Sequence, residues 1–368
     1  MSDFYPELAA RLRAVTSLPS VAIGFDGFVD EMISVVSERQ SLTSFTAVPD
    51  ITTFGGLISK AAGHSSLREI VVNAVHPGGC AVNMGDGLAA LGVPVDGFAT
   101  LGQPMHPAFQ EPTAKFRSCH SWGKEPGRTL AYEFNDGKLM FSAVSQLADF
   151  TPAHVERVLA DNAYAGACLA ARVIALTDWT LYPHMTAVWG LLREKVYAKL
   201  NHRPAVFIDL VDPSSRSEGD IRAMLDTLPQ FETCGPLTLG LNGTEANILA
   251  RLLGISQAGD DPQASLAQAQ ALRSRLGISE VVVHHIKSAA VANARESAAM
   301  HGPYCAKPKK STGAGDRFNA GYCLGLLLQL DAASRLACAC ACSGYFVRQA
   351  RSASLAELAD FLQTMPIE

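Results

Sequence analysis

The sequence lacks the features by which membrane proteins and nucleic-acid-binding proteins are usually recognised. The longest apolar stretch, residues 320–330, is interrupted by Gln329 and is too short to span a bilayer. No long block of lysine and arginine occurs, and the formal net charge is −5, which favours neither nucleic acid nor an anionic membrane as a partner. Residues 1–15 carry charged side chains and lack the apolar core of a secretory signal. We therefore expect a soluble, cytoplasmic protein.

The cysteines form no pattern that suggests a disulfide framework or a zinc site. There are nine, an odd number scattered through a long chain. Cys338, Cys340 and Cys342 lie in an alanine-rich stretch that is predicted to be helical, where side chains two residues apart point about 200° apart. No Cys-x-x-Cys pair and no nearby histidine completes a zinc ligand set. We expect these three cysteines to be small buried apolar residues.

What the sequence does contain is a large apolar fraction arranged as alternating strands and helices. Apolar residues make up 48% of the 368 residues, which is enough for a sizeable core. The alternation is typical of a parallel sheet with helices on both faces. We predict an α/β fold, a doubly wound and mostly parallel sheet in one domain over residues 1–368. Predicted strands are 21–26, 95–101, 173–176, 205–210, 237–241 and 281–284, and predicted helices include 81–91, 246–253 and 265–276.

A second, smaller β element is predicted in the first half of the chain. Residues 128–142 contain two short runs separated by Asn135-Asp136-Gly137, and an Asp-Gly pair between alternating runs is a strong hairpin signal. We expect this hairpin to belong to a small β lid, inserted mainly within residues 95–145.

The most informative stretch for chemistry is the glycine-rich segment 311–316, Ser-Thr-Gly-Ala-Gly-Asp, which precedes an apolar helical run. A turn of this kind that enters a helix leaves backbone N–H groups free to bind phosphate, and small residues allow a close approach. A carboxylate such as Asp316 would repel the anion, but it is useful if it accepts a proton from an attacking hydroxyl. The alternative is a plain loop in which Asp316 is a first-turn helix residue favoured by the helix dipole.

This stretch resembles the C-terminal signature of the ribokinase/PfkB carbohydrate kinase family, Asp-Thr-x-Gly-Ala-Gly-Asp. Three further pieces follow the family's order: Asp26 and Asp30 after the first strand, Gly78-Gly79 with Asn83, and Asn242 with Glu245. The hairpin is similar to the family's lid. The resemblance implies a ribokinase-like fold and an enzyme that uses ATP and Mg²⁺ to phosphorylate a hydroxyl of a small polar metabolite, a sugar above all.

The resemblance also implies a role for each matching residue. Asp316 would be the general base, while Glu245 would hold a water on Mg²⁺ and Asn242 would assist at the phosphates. The acceptor would be held by the two early aspartates and the glycine motif. The spacing after the first strand is one residue longer than the family's, so either Asp26 or Asp30 could be the aspartate that binds the acceptor. The acceptor-binding residues are thus Asp26, Asp30, Gly78, Gly79 and Asn83, and the phosphate-binding residues are Asn242, Glu245, Thr312, Gly313, Ala314 and Gly315.

Two positions depart from the family pattern. Lys310 replaces the first aspartate of the signature, which helps to hold a monovalent cation in some members. Its ammonium either substitutes for that cation or is simply solvated beside Lys309. Ile286 replaces a glycine that lines the nucleotide. His284 and His285 precede it, but adjacent strand residues point to opposite faces, which argues against a shared metal.

Other functions remain open from the sequence. A nucleoside kinase of the same fold and a non-catalytic metabolite-binding protein on a kinase fold are the closest alternatives. A dinucleotide-dependent dehydrogenase is poorly supported, because the Gly-x-Gly-x-x-Ala match at residues 85–90 lies inside a predicted helix. A P-loop is absent, since neither Gly123-Lys124 nor Gly137-Lys138 is followed by serine or threonine. A homodimer formed through the lid is also left open.

Overall fold

The structure, a computed structural model, describes residues 3–366 and contains two β-sheets surrounded by helices. The strands are β1 (Ser20–Phe25), β2 (Phe28–Arg39), β3 (Phe45–Ala47), β4 (Ile70–Gly78), β5 (Val95–Ala99), β6 (Ser118–Ser121), β7 (Gly127–Phe134), β8 (Gly137–Ala143), β9 (Ala171–Leu176), β10 (Ala205–Asp209), β11 (Leu237–Asn242), β12 (Glu280–His284), β13 (Ser288–Asn293) and β14 (Ser297–His301). The helices are α1 (Phe4–Arg13), α2 (Ile51–Lys60), α3 (Cys80–Ala90), α4 (Gln110–Thr113), α5 (Pro152–Val158), α6 (Ala163–Ala170), α7 (Met185–Lys195), α8 (Glu218–Leu225), α9 (Gly243–Leu253), α10 (Pro262–Leu276), α11 (Ala314–Leu327), α12 (Ala332–Gln349) and α13 (Leu355–Thr364).

The large sheet confirms the predicted α/β architecture. Its strand order is β14-β13-β12-β11-β10-β9-β1-β5-β6, with parallel pairing from β12 to β6 and antiparallel pairing for β13 and β14. Every residue of β1 is buried, because helices cover both faces of the strand. The strand order reverses at β1. The next strands of this sheet along the chain, β5 and β6, lie on one side of β1, and β9 and β10 lie on the other side. In such sheets, ligands bind outside the carboxyl ends of the strands at this point.

Local sequence signals set the helix boundaries next to the sheet. Helix α9 is capped at its start by Asn242, which forms a capping box with Glu245, and at its end by Gly254 with φ +70°. Helix α10 begins after Asp261, whose side chain caps the helix, and ends at Gly277 with φ +67°. Asn242 is the last residue of β11, so its cap joins the carboxyl end of this strand to the first turn of α9.

Two apolar layers cover the large sheet. Trp179, Trp189 and Phe231 fill one layer, and α1, α3 and α11 to α13 supply the other. The helix α12 carries the three closely spaced cysteines, which are at most 5% exposed. All nine cysteines are free, and the expectation that these three are small core residues is confirmed.

The second sheet is small and lies beside the carboxyl edge of the large one. Its strands follow the order β3-β2-β7-β8, with β4 paired along β2. The predicted hairpin is present as β7 and β8. The sequence placed this element mainly within residues 95–145, but β2, β3 and β4 lie earlier, and β5 belongs to the large sheet. The apolar pattern of β2 is interrupted by Asp30 and Glu31, so its strand character is weak in the sequence.

No helix in residues 3–366 is both long enough and apolar enough to cross a membrane.

Candidate active site

Five carboxylates, four of them buried, gather at the carboxyl edge of the large sheet, where the strand order reverses. Asp26 follows β1, Asp178 follows β9 and Asp209 ends β10, while Glu245 and Asp316 lie in the first turns of α9 and α11. Exposed fractions are 1% for Asp26, 1% for Asp178, 5% for Glu245 and 8% for Asp316. Burying this many acids without equal positive charge is costly, which is typical of a functional site rather than of a core.

Asp26 is bonded to the protein itself through both carboxylate oxygens. It accepts hydrogen bonds from the backbone N–H of Cys80, from that of Ala81 at 2.8 Å and from the Thr177 hydroxyl at 2.5 Å. Burial raises the pKa of Asp26, and these three donors lower it. The geometry makes Asp26 the residue that fixes the start of α3 to the end of β1.

Asp30 lies on β2, in the small sheet, and is less constrained. A Cβ placed on Gly78 would lie 2.5 to 2.6 Å from the Asp30 carboxylate atoms, so the present position of this carboxylate requires glycine at residue 78. Burial raises the pKa of Asp30, whereas Thr129 and, more weakly, the positive charge of Lys138 lower it. The structure brings Asp30 and Gly78 together.

The start of α3 carries the other predicted acceptor-binding residues. Gly79 caps the helix with φ +96°, and a Cβ there would lie 2.8 Å from the Asp26 carbonyl oxygen. Asn83 follows one helical turn later, and no group in the described residues hydrogen-bonds its side-chain amide. This amide is therefore available to a ligand.

The glycine-rich turn leads into α11. Gly313 has φ +89°, a value that favours glycine, and the helix begins at Ala314. The N–H of Ala314 donates to the Ser311 carbonyl at 3.0 Å, so this amide is already used. The first-turn amides of Gly315 and Asp316 have no intrahelical acceptor. Thr312 precedes Gly313 and is partly buried.

A cleft of about 850 Å³ opens beside this turn. His284 lines it, and its ring lies against Phe318 at a tilt of 32° with 4.5 Å between centroids. Burial lowers the pKa of His284 to about 4, which keeps it neutral. A larger groove of about 1270 Å³ lies at the opposite edge of the sheet, far from these residues. Other residues that line the cleft include Asn242, Thr244, His285, Ile286, Tyr304 and Gly315.

Asn242, which lines the cleft, and Glu245 form one hydrogen-bonded unit. The Asn242 backbone N–H donates to Glu245 at 2.8 Å, and its side-chain amide donates at 2.6 Å. Burial raises the pKa of Glu245 well above its usual value, and the negative charge of Asp209 raises it further. A cation nearby would offset this cost. No cluster of three or more histidine, cysteine or acidic side chains in residues 3–366 is arranged to ligate a metal directly.

Asp316 sits next to Gly315, at the junction between the turn and the carboxylates. Burial raises its pKa to about 7, Arg317 opposes this rise, and Asp209 and Asp26 add to it. A carboxylate with a pKa near neutrality is a stronger base than an exposed aspartate and still ionises at physiological pH.

Lys310 lies between the turn and the small sheet. Its ammonium is 5.7 Å from the centre of the Phe346 ring. Burial lowers its pKa and the charge of Arg317 lowers it further, while Asp30 and Asp86 raise it. The residue is exposed, and its role as a substitute for the cation stays a prediction.

Sequence reasoning missed three members of the site. Asp209 ends a predicted strand, and the rule that selected Asp26 would have selected it too. Asn319 lies one turn after Asp316, donates to Asp209, and has a buried Oδ1 without a partner in the described residues. Asp178 adopts a left-handed conformation with φ +53°, for which its sequence context gives no signal.

Comparison with known proteins gives two sequence matches. The family model of prokaryotic ketohexokinases matches residues 7–365. A ketohexokinase of Haloferax volcanii is 28% identical over 344 residues, which cover 93% of this chain and 90% of that protein.

Solved structures show the same fold at low sequence identity. A ribokinase from Thermotoga maritima superposes with a TM-score of 0.62 at 14% identity, covering 94% of this chain and 99% of that one. A putative ribokinase II from E. coli, in complex with ATP and Mg²⁺, superposes with a TM-score of 0.60 at 18% identity, covering 94% and 100%.

Proposed function

The chain belongs to the prokaryotic ketohexokinase family, a group of ribokinase-like sugar kinases, and from this premise we propose that it transfers the γ-phosphoryl group of ATP to a hydroxyl of a ketohexose. The observation that carries the proposal is the position of Asp316. This buried base follows the phosphate turn directly, and its pKa responds to Asp26 at the acceptor end of the site.

The acceptor would be held by the end of β2 and the start of α3. Asp30 can accept two hydroxyl hydrogen bonds, and the free amide of Asn83 can both donate and accept. Gly78 and Gly79 let the sugar approach the backbone. Asp26 would contribute indirectly, because its oxygens already bind the α3 backbone and Thr177.

The phosphates would lie against the turn at residues 312–315 and extend along the cleft lined by Asn242. Holding the acceptor hydroxyl and the phosphoryl group together supplies much of the rate enhancement. Asp316 then accepts the hydroxyl proton, late in a loose transition state. The small sheet, which carries Asp30, would exclude water from the reacting groups.

The carboxylates fit a Mg²⁺ ion that is held through water. Glu245 is buried with a raised pKa and lies near Asp209, so a divalent cation would offset charge that the protein leaves uncompensated. Mg²⁺ keeps several of its waters and seldom needs a full set of protein ligands, in keeping with the donor set here. When bound, the ion would neutralise charge on the phosphates.

A substrate panel tests the proposal. We expect ADP release with ATP, Mg²⁺ and a ketohexose such as fructose or tagatose, and little with aldohexoses, ribose or adenosine. Excess EDTA should abolish it. Turnover of adenosine alone would favour the nucleoside kinase, and binding of a ketohexose without ADP release would favour the non-catalytic metabolite-binding protein.

A second prediction concerns Lys310, whose ammonium we propose replaces a monovalent cation near the phosphate turn. We expect equal activity in sodium and potassium buffers of the same ionic strength. Lys310→Met should lower the ATP affinity about tenfold, because one charge is lost near the phosphates. Lys309→Met, one residue away and exposed, is the matched control. A strong potassium requirement in the native protein would exclude the substitution.

A further inference from the structure

Arg317 occupies a position where a helix does not favour a positive charge. It lies in the first turn of α11, where the helix dipole favours acids, and it directly follows the proposed base Asp316. Its side chain is nevertheless 8% exposed. Specific contacts must therefore compensate for both its burial and its unfavourable position.

Those contacts come from three other parts of the chain. The guanidinium donates to Asp86 on α3 at 2.9 Å and to the Ser352 hydroxyl at 3.1 Å, and Ser352 in turn donates to Asp86 at 2.8 Å. Its centre lies 4.5 Å from the centre of the Phe346 ring on α12. Arg317 thus joins α11, α3, α12 and the segment that precedes α13.

The same guanidinium lies directly behind the glycine-rich turn. Its Nη1 is 3.5 Å from the carbonyl oxygen of Gly313, and a Cβ placed on Gly313 would lie 2.7 Å from Nη1. Helices α3 and α11 also touch closely, since a Cβ on Gly87 would lie 2.9 Å from that of Ala320. The turn and α3 are therefore held at a fixed separation.

We propose that Arg317 is a positioning residue for phosphoryl transfer, which fixes the phosphate turn at Gly313 to the sugar-binding helix α3 through Asp86. This inference depends on the proposed function, because it takes the turn and α3 as the two ends of one reaction site. Asn83 and Asp86 are one turn apart on α3, so a shift of Asp86 displaces the acceptor end. The Lys310 ammonium is also near the Phe346 ring, 5.7 Å from its centre.

Arg317 also supplies a positive charge beside the base. The groups that affect Asp316 are Arg317 on its own helix, Asp209 on β10, Cys80 on α3 and Asp26 after β1, and Glu245 on α9 also responds to its charge. Arg317 is the cation in this set and opposes the rise in the pKa of Asp316. Removing its charge should raise that pKa further.

The test compares Arg317→Lys with Arg317→Gln. We expect kcat to fall about 100-fold in both, because a displacement of about 1 Å is enough for such a loss, while the KM values change only a few-fold. In the glutamine variant the acidic limb of the kcat/KM profile should move to higher pH, since Asp316 must be ionised to act as a base. In the lysine variant, which keeps the charge, the limb should stay near that of the wild type.

Arg335 provides a matched control at the opposite edge of the sheet. Its side chain is 12% exposed, pairs with Glu280 and lies 5.6 Å from the centre of the Tyr322 ring. Arg335→Lys and Arg335→Gln should lower the melting temperature without altering kcat or the pH profile. Asp86→Asn gives a second measurement if Arg317→Gln fails to fold, with an expected loss of at least tenfold in kcat.

Two outcomes separate the inference from the proposed function. A wild-type protein that phosphorylates no sugar refutes the proposed function and this inference with it. A wild-type enzyme that is active, with Arg317→Lys and Asp86→Asn variants of unchanged kcat, refutes this inference alone. An equal loss in the Arg335 variants would also overturn it, because the effect would then be general destabilisation.

Discussion

Replacement of Asp316 by asparagine should lower kcat by about 10²–10⁴-fold, the usual contribution of a positioned base. Asparagine keeps the shape of the side chain, so the affinities for sugar and ATP should stay within a few-fold of the wild type. The same substitution should raise the melting temperature at pH 8. It removes a carboxylate that is 8% exposed and surrounded by other acids. Initial rates, calorimetric titration and thermal unfolding measure the three effects.

The pH dependence gives the stability effect a defined sign. The pKa of Asp316 is raised by burial to about 7 in the folded protein, above its value in the unfolded chain. The folded protein therefore binds the Asp316 proton more tightly than the unfolded chain does. The stability that this gives is fully present below the unfolded pKa and is lost as the pH rises to about 7. The gain in melting temperature from Asp316→Asn should be largest at pH 8 and should shrink towards pH 4.

Asp178→Asn is the matched control for this experiment. Asp178 is as buried as Asp316, and desolvation also raises its pKa. Asparagine tolerates the left-handed conformation at this position and can still accept a hydrogen bond from the Leu181 N–H. We expect this variant to be more stable at pH 8 and to lose much less turnover than Asp316→Asn, because Asp178 lies in the site but accepts no proton in the proposed mechanism. A normal kcat in Asp316→Asn would exclude Asp316 as the base.

The large sheet could be predicted from the sequence because its strands are continuous apolar runs. Strands such as β10 and β12 are buried on both faces. Such strands consist mostly of apolar residues, so each can be predicted from its own short segment of sequence. The phosphate turn was visible for a similar reason, since residues 311–316 are contiguous. Features that depend on one short segment are accessible to sequence reasoning.

Features that depend on distant segments were not accessible in this way. The strand β2 has a mixed composition and is stabilised by pairing with β4 and β7, each far away in the chain. Arg317 appears as an ordinary charged residue until Asp86 and Ser352 are brought to it. The sequence also left Asp26 and Asp30 equivalent, because only the structure shows which carboxylate already has its hydrogen bonds.

This difference between the two aspartates leads to opposite expectations for their alanine variants. Asp30→Ala should lower kcat/KM for the sugar by about 10²–10⁴-fold, which corresponds to two hydrogen bonds to a charged group at about 1.5–3 kcal/mol each. Its melting temperature and its ATP affinity should be nearly unchanged. Asp26→Ala should lower the melting temperature strongly, because it leaves the Cys80 and Ala81 amides and the Thr177 hydroxyl without an acceptor.

Gly78→Ala probes the same contact from the other strand. Its Cβ would lie 2.5 to 2.6 Å from the Asp30 carboxylate, so that side chain must move away from its position. We expect a sugar KM at least tenfold higher with an unchanged ATP affinity. Gly166→Ala, where a Cβ meets nothing within 4 Å, is the control. If Asp30→Ala keeps a normal sugar KM while a folded Asp26 variant loses sugar affinity, the acceptor is held by Asp26, and the hydrogen bonds at α3 must rearrange when sugar binds.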